Sequence, residues 1–123
     1  MDMFLKQDEL AVEQYASRKA MGEAAAKEVA AKIAGLQRKK ESVNIIFAAA
    51  PSQNEFLEAL IAAPGIDWRR VNGFHMDEYI GLAADAPQGF GNFLRGRLFG
   101  RLPFGQVFYL DGQAADPQAE CAR

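Results

Sequence analysis

Apolar and polar positions change period several times along this chain. From about Glu9 to Lys40, Leu10, Ala25, Val29, Ile33 and Leu36 recur at helical spacing amid abundant alanine, which predicts one long helix. Glu23 with Lys27, and Glu28 with Lys32, set acid before base four residues apart, as on an exposed helix face. Gly22 is expected to mark a break in it. The next run, "SVNIIFAAA" (Ser42 to Ala50), is short, β-branched at its centre and without polar alternation. That pattern predicts a strand covered on both faces, as in a parallel sheet. After Pro51 the helical period returns at Phe56, Leu57, Leu60 and Ile61, and Pro64-Gly65 stops it.

A second strand is predicted from Val71 to Met76, followed by the Gly- and Pro-bearing loop "GLAADAPQG". A third helix is expected around Gly89 to Phe99, a third strand within "GQVFYLDG", and the opening turn of another helix in "DPQAECAR". Strands alternating with helices predict an α/β fold, an open, mostly parallel Rossmann-like sheet flanked by helices and truncated after its third strand. Such a sheet leaves unpaired edges, which proteins cover or shorten. Either another chain completes the layer, and a homo-oligomer is the expectation, or the sequence is part of a longer one.

Composition narrows the function classes. At 123 residues the chain holds at most one domain. Its net charge of −2 gives no electrostatic reason to expect nucleic acid or an anionic membrane as partner. The basic run "QRKK" (Gln37 to Lys40) falls where the first helix should end, where cations complement the helix dipole. Cys121 is the single cysteine, so no intrachain disulfide is possible. The first ten residues lack the apolar core of a signal peptide, and the longest aliphatic stretch is too short to span a bilayer. A cytoplasmic protein is the expectation.

Ligands of open parallel sheets bind beyond the carboxyl ends of the strands. Two stretches fall there, "AAAPSQNE" and "MDEYIGL". In the first, small residues and a helix start suit a phosphate; equally, Ser52 and Glu55 fit a capping box with no ligand at all. In the second, Asp77 or Glu78 at the strand end suits a general base, or simply a hydrated rim. His75 reads as a packed, hydrogen-bonded residue, because one histidine without a second His or Cys nearby makes no transition-metal site.

The run "RVNGFHMDEYIGL…APQGFGNFLRGRLFGRLPFGQVFYLDG" resembles the glucosamine-6-phosphate deaminase/isomerase family, relatives of 6-phosphogluconolactonase. The motif M-D-E-Y-[IV]-G-L carries the likeness, which extends from about Val43 onward through "YLDG…DPQAEC". The resemblance implies a sugar-phosphate substrate, with glucosamine 6-phosphate and water giving fructose 6-phosphate and ammonia, and no metal or redox cofactor. Asp77 would be the general base that moves a proton between C1 and C2, and Glu78 would help shape the site. Ala50, Pro51, Ser52 and Gln53 would receive the phosphate.

The chain departs from the family pattern in two ways. Its loop reads "AAAPSQN" in place of a Gly-rich T-G-S-T-P-like turn, and Pro51 lacks an amide donor. The G-N-D-G-H loop of the family's later half is absent, and His75 is the sole histidine. The chain is therefore expected to be the N-terminal portion of one domain, incomplete and inactive alone. A 6-phosphogluconolactonase-type hydrolase, whose motif ends in D-E-R where Tyr79 stands, and a non-catalytic sugar-phosphate-binding regulatory domain are the alternatives.

Overall fold

The structure is a computed structural model describing residues 1–123. Its strands are β1 (Met3–Gln7), β2 (Leu10–Gln14), β3 (Val43–Phe47), β4 (Val71–His75) and β5 (Gln106–Phe108). Its α-helices are α1 (Arg18–Gln37), α2 (Asn54–Ala62), α3 (Phe90–Leu94) and α4 (Pro117–Ala122). Strands β3, β4 and β5 form one parallel sheet in that spatial order, so the α/β reading and all three of its strands hold. The third helix holds too, as α3 continued by a π-turn over Arg95–Phe99.

The long first helix does not start at Glu9. Residues 3–14 instead form an antiparallel hairpin, with Leu5 opposite Val12 and Gln7 opposite Leu10. Asp8 turns the chain there in the left-handed region, at φ 54°, a conformation that Asp tolerates better than most residues. The helix begins at Arg18, where the Ser17 hydroxyl accepts the Ala20 N–H at 3.1 Å. Leu10 thus belongs to a strand, and its apparent helical spacing with Ala25 is a coincidence of composition.

Gly22 is no break either. It is buried inside continuous α1, and a Cβ there would lie 2.8 Å from the backbone of Glu55 and Phe56. The missing side chain lets α1 and α2 approach closely. At the far end of α1 the backbone N–H groups of Arg38, Lys39 and Lys40, in the basic run, donate to the carbonyls of Ala34 and Leu36 and close the last turn. Arg70, from the segment before β4, reaches across and donates to the carbonyls of Gln37, Lys40 and Glu41. The Gln37 side chain pairs with both backbone groups of Asp67, at 2.7 and 3.1 Å. The C-terminus of α1 is thereby fastened to the strand that carries the candidate acids.

The core lies on one side of the sheet. Ala26, Ala30 and Ile33 from α1 and Leu57 and Leu60 from α2 meet Leu94, Leu98 and Phe99 over Phe47 and Val71. Phe99 stands edge-on to Phe47, Phe104 and Tyr109, with ring centroids 5.7, 5.2 and 5.6 Å away. Gly73 makes room for it: a Cβ on that central-strand residue would lie 2.5 Å from Cε1 of Phe99. No helix is long and apolar enough to cross a membrane.

Replacing Gly22 with alanine should lower the unfolding free energy, measured by urea titration, by about 1–3 kcal/mol through overpacking. Alanine is the better helix former by about 1 kcal/mol, so a neutral or stabilising result would mean that α1 and α2 separate without cost.

Candidate active site

Parallel pairing brings the two candidate stretches to the same edge of the sheet. Phe47 at the end of β3 is registered with His75 at the end of β4, and the Met76 N–H donates to the Phe47 carbonyl at 3.1 Å. Ala50 follows Phe47 by three residues and Asp77 follows His75 by two.

The acidic pair splits into two roles. The Glu78 carboxylate turns inward and accepts three backbone N–H groups, from Tyr79 at 3.0 Å, Phe90 at 2.9 Å and Gly91 at 2.9 Å. It supplies the first turn of α3 with acceptors that the N-cap, Gly89, cannot offer. Partial burial pushes its proton affinity up, but the N–H groups of Gly91, Phe90 and Tyr79, with His75 nearby, outweigh this. The net effect holds Glu78 below the usual carboxylate range. A Cβ at Gly91 would come within 3.3 Å of Glu78 Oε2, so a glycine keeps the approach open.

His75 is buried behind Glu78, as a packed residue should be. Its Nδ1 accepts the Leu110 N–H at 3.1 Å, which places the proton of the neutral ring on Nε2. Nε2 lies 3.6 Å from Glu78 Oε2, beyond a direct hydrogen bond, and has no other partner. Together His75 and Glu78 connect the end of β4 to α3 and to the segment after β5.

Asp77 is exposed. It borders a hollow of about 220 Å³ that Glu78 also lines, with Met76, Ile80, Asp111, Glu120 and Cys121 among the other walls. One of those carboxylates is already committed: Arg123 and the Asp111 N–H bind Glu120 and hold it down to about 2. Asp77, Glu78 and Asp111 are the other acids lining the hollow, Asp111 with one oxygen accepting the Gln113 N–H, and Asp111 was not foreseen. Its signal was present, because "YLDG" puts an acid just past the end of a parallel strand as "HMDE" does.

The turn at Ala50, Pro51, Ser52 and Gln53 is not among the walls of that hollow. Pro51–Gln53 form a 3₁₀ turn leading into α2, and no side chain caps either start. The capping box is therefore absent. Glu55 instead meets its own backbone N–H and the guanidinium of Arg18, which together keep it below its ordinary range. The same guanidinium donates to the Pro51 carbonyl at 2.8 Å. Ser52 is exposed, with its hydroxyl in no hydrogen bond that the turn requires. No three His, Cys, Asp or Glu side chains converge as a metal-ligand set.

Comparison with known proteins agrees with this architecture. No family model matches the chain. A curated glucosamine-6-phosphate deaminase of Listeria innocua is 37% identical over 81 residues, covering 66% of this chain and 35% of that protein. One from an Exiguobacterium species is 45% identical over 58 residues, 47% of this chain and 23% of its own length. The chain thus spans about a third or less of the curated relatives it matches. Among solved structures, a monomeric glucosamine-6-phosphate deaminase superposes with a TM-score of 0.74 at 22% identity, over 86% of this chain and 44% of the other. The 6-phosphogluconolactonase of Thermotoga maritima gives 0.72 at 20%, over 82% and 46%. The structural likenesses carry the fold, and the sequence matches bear out the resemblance to the deaminases.

A carboxyl group with lower proton affinity folded than unfolded stabilises the fold above the ordinary carboxylate range, and that contribution disappears as pH falls through its folded value. Glu78→Gln should therefore cost stability at neutral pH, about 1.5–3 kcal/mol for hydrogen bonds to a charged acceptor. Urea titrations of both forms should converge on acidification below about pH 4. A constant gap down to the acid limit would show that the charge of Glu78 contributes nothing.

Proposed function

We propose that this relative of the glucosamine-6-phosphate deaminases provides the general base and one phosphate-binding turn of an amino-sugar-phosphate isomerase/deaminase. Asp77 moves a proton between C1 and C2 of ring-opened glucosamine 6-phosphate, and water then displaces ammonia to leave fructose 6-phosphate. The turn of Ala50, Pro51, Ser52 and Gln53 takes the phosphate, through the Ser52 N–H and hydroxyl and the Gln53 side-chain amide, since Pro51 has no N–H to give and the Gln53 N–H donates to the Ala50 carbonyl.

One observation carries the reading: two adjacent carboxylates line one hollow at a strand end, and backbone donors hold Glu78 while the Asp77 carboxylate is exposed and accepts none. Glu78 accepts three backbone N–H groups, which fix it in the scaffold. Asp77 is exposed beside the hollow, one residue from that fixed point. Abstracting a proton beside a carbonyl needs a carboxylate held over one carbon, and binding a remote phosphate supplies energy that fixes the geometry. A base whose neighbour is anchored to the protein backbone satisfies the first condition.

Residues 1–123 form the N-terminal portion of such a domain in this reading and are inactive alone. The hollow beside Asp77 does not reach the Ala50–Gln53 turn, which fits a site completed by further polypeptide.

The chain joined to the remaining part of the Listeria innocua deaminase should release ammonia from glucosamine 6-phosphate, and residues 1–123 alone should not. In the joined protein, Asp77→Asn should lower kcat by roughly 10²–10⁴-fold with little change in KM, the range of general-base catalysis. Hydrolysis of 6-phosphogluconolactone without ammonia release would replace this assignment with the lactonase one. Unchanged turnover in Asp77→Asn would remove Asp77 as the base.

A further inference from the structure

His75 is buried at the functional edge of the sheet, 4% exposed, and takes no part in the proposed chemistry. Its ring has one filled position and one open one. Nδ1 accepts the Leu110 N–H at 3.1 Å, whereas Nε2 has no hydrogen-bond partner and lies 3.6 Å from Glu78 Oε2. An unpartnered polar group inside a fold is costly, and native structures keep few of them. Phe47 is the register partner of His75 on β3, the Tyr109 ring stands edge-on at 6.0 Å, and a Cβ on Gly91 of α3 would lie 3.2 Å from His75 Cε1. Among charged groups, the Glu78 carboxylate faces the ring directly. The Arg95 guanidinium lies over Tyr109, 4.7 Å from that ring's centroid, and Asp77 and Asp111 are exposed.

The residue bonded to Nδ1 begins a wall of the hollow. Leu110, Asp111 and Gly112 line it together with Ile80 and Asp77. The Gly112 carbonyl accepts the Gly81 N–H at 2.6 Å, and a Cβ on Gly112 would lie 2.2 Å from the Tyr79 carbonyl oxygen. The segment after β5 and the loop after Asp77 are therefore packed directly on one another. The bond from the Leu110 N–H to Nδ1 fastens that pair to the buried end of β4. A neutral imidazole accepts at one nitrogen, whereas an imidazolium donates from both. Protonation would do two things at once: set Nδ1–H against the Leu110 N–H, and put a positive charge beside Glu78. Glu78 is ready to receive that charge. Burial raises its proton affinity, yet the N–H groups of Gly91, Phe90 and Tyr79 keep it below the usual carboxylate range.

We infer that His75 is a positioning residue whose protonation state sets where the Leu110–Gly112 segment sits against the hollow beside Asp77. The neutral ring holds the Leu110 N–H and leaves its own Nε2–H short of Glu78. The imidazolium closes that gap to the carboxylate and releases Leu110. With Leu110 goes the wall that carries Asp111 and, through the Gly112–Gly81 bond, the loop that carries Ile80. Glu78 keeps its backbone donors in both arrangements, so the change falls on the walls of the hollow and leaves the anchor beside Asp77 in place. The inference goes beyond the proposed reaction and holds whether or not Asp77 is its base.

The test is nuclear magnetic resonance of residues 1–123, in which the sole histidine makes the ring signals unambiguous. Long-range proton–nitrogen correlation of the neutral ring should show the proton on Nε2 and none on Nδ1; the opposite tautomer would overturn the proposal. Through a pH titration the Leu110 amide proton should move upfield with the midpoint of the ring, as it loses its acceptor. The Gly81 and Gly112 amides should follow with the same midpoint. A Leu110 amide that stays fixed while the ring titrates, or a ring that stays neutral until the chain unfolds, contradicts the inference. His75→Asn keeps an acceptor oxygen near the place of Nδ1 and has nothing to protonate. In that variant the step should vanish from all three amides, with Leu110 held at its neutral-ring shift. A step that persists there belongs to a carboxylate and removes His75 from the role. Where the variant does not fold, the tautomer and the titration of the unaltered chain decide alone. No turnover enters these measurements, so the deaminase reading and this one fail separately.

Discussion

The inward turn of Glu78 is the constraint on which the functional edge depends. Three backbone N–H groups from two separate segments converge on one carboxylate. A charged acceptor holds such donors more tightly than a neutral one, so the end of β4 and the start of α3 cannot move independently. His75 extends the connection to Leu110. The backbone that carries Asp77 lies between these fixed points, and Asp77 itself is left exposed. An acid on a loose loop would sample many positions; an acid beside an anchored residue keeps one.

Other parts of the fold bring the edge into place by similar means. Arg70 and Gln37 tie the C-terminus of α1 to the segment that starts β4, so the helix cannot slide along the sheet. Gly22 permits the close packing of α1 on α2, and Gly73 admits Phe99 against the central strand. These positions set the depth of the core beneath the edge. The aromatic group of Phe47, Phe99, Phe104 and Tyr109 fills that depth on one side, which leaves the opposite face with no comparable cover.

The parallel sheet was legible because buried strands have a composition of their own: "VNIIF" and the run into "FHMDEY" contain no alternation that a solvated strand would need. The hairpin was not legible. Leu10 falls in register with a later helical pattern, and the competing signals, period-two spacing at Met3, Leu5, Leu10 and Val12 and a cap at Ser17, are short-range features overshadowed by an alanine-rich run. At the site, the sequence located both acids but could not divide their labour. Which carboxylate turns inward depends on donors at Phe90 and Gly91, twelve and thirteen residues away. The Ser52–Glu55 spacing suggested a cap that Arg18, more than thirty residues earlier, draws away. Pairwise spacing records local options, whereas long-range partners choose among them.

The direct measurement is a titration of individual side-chain carboxyl carbons by nuclear magnetic resonance. Glu78 should keep its charge below the usual carboxylate range, and its resonance should respond when the Phe90 and Gly91 amides lose their acceptor. A Glu78 that protonates within or above that range, with those amides unaffected, would show that it is an ordinary rim acid and that nothing in this edge holds Asp77 in place.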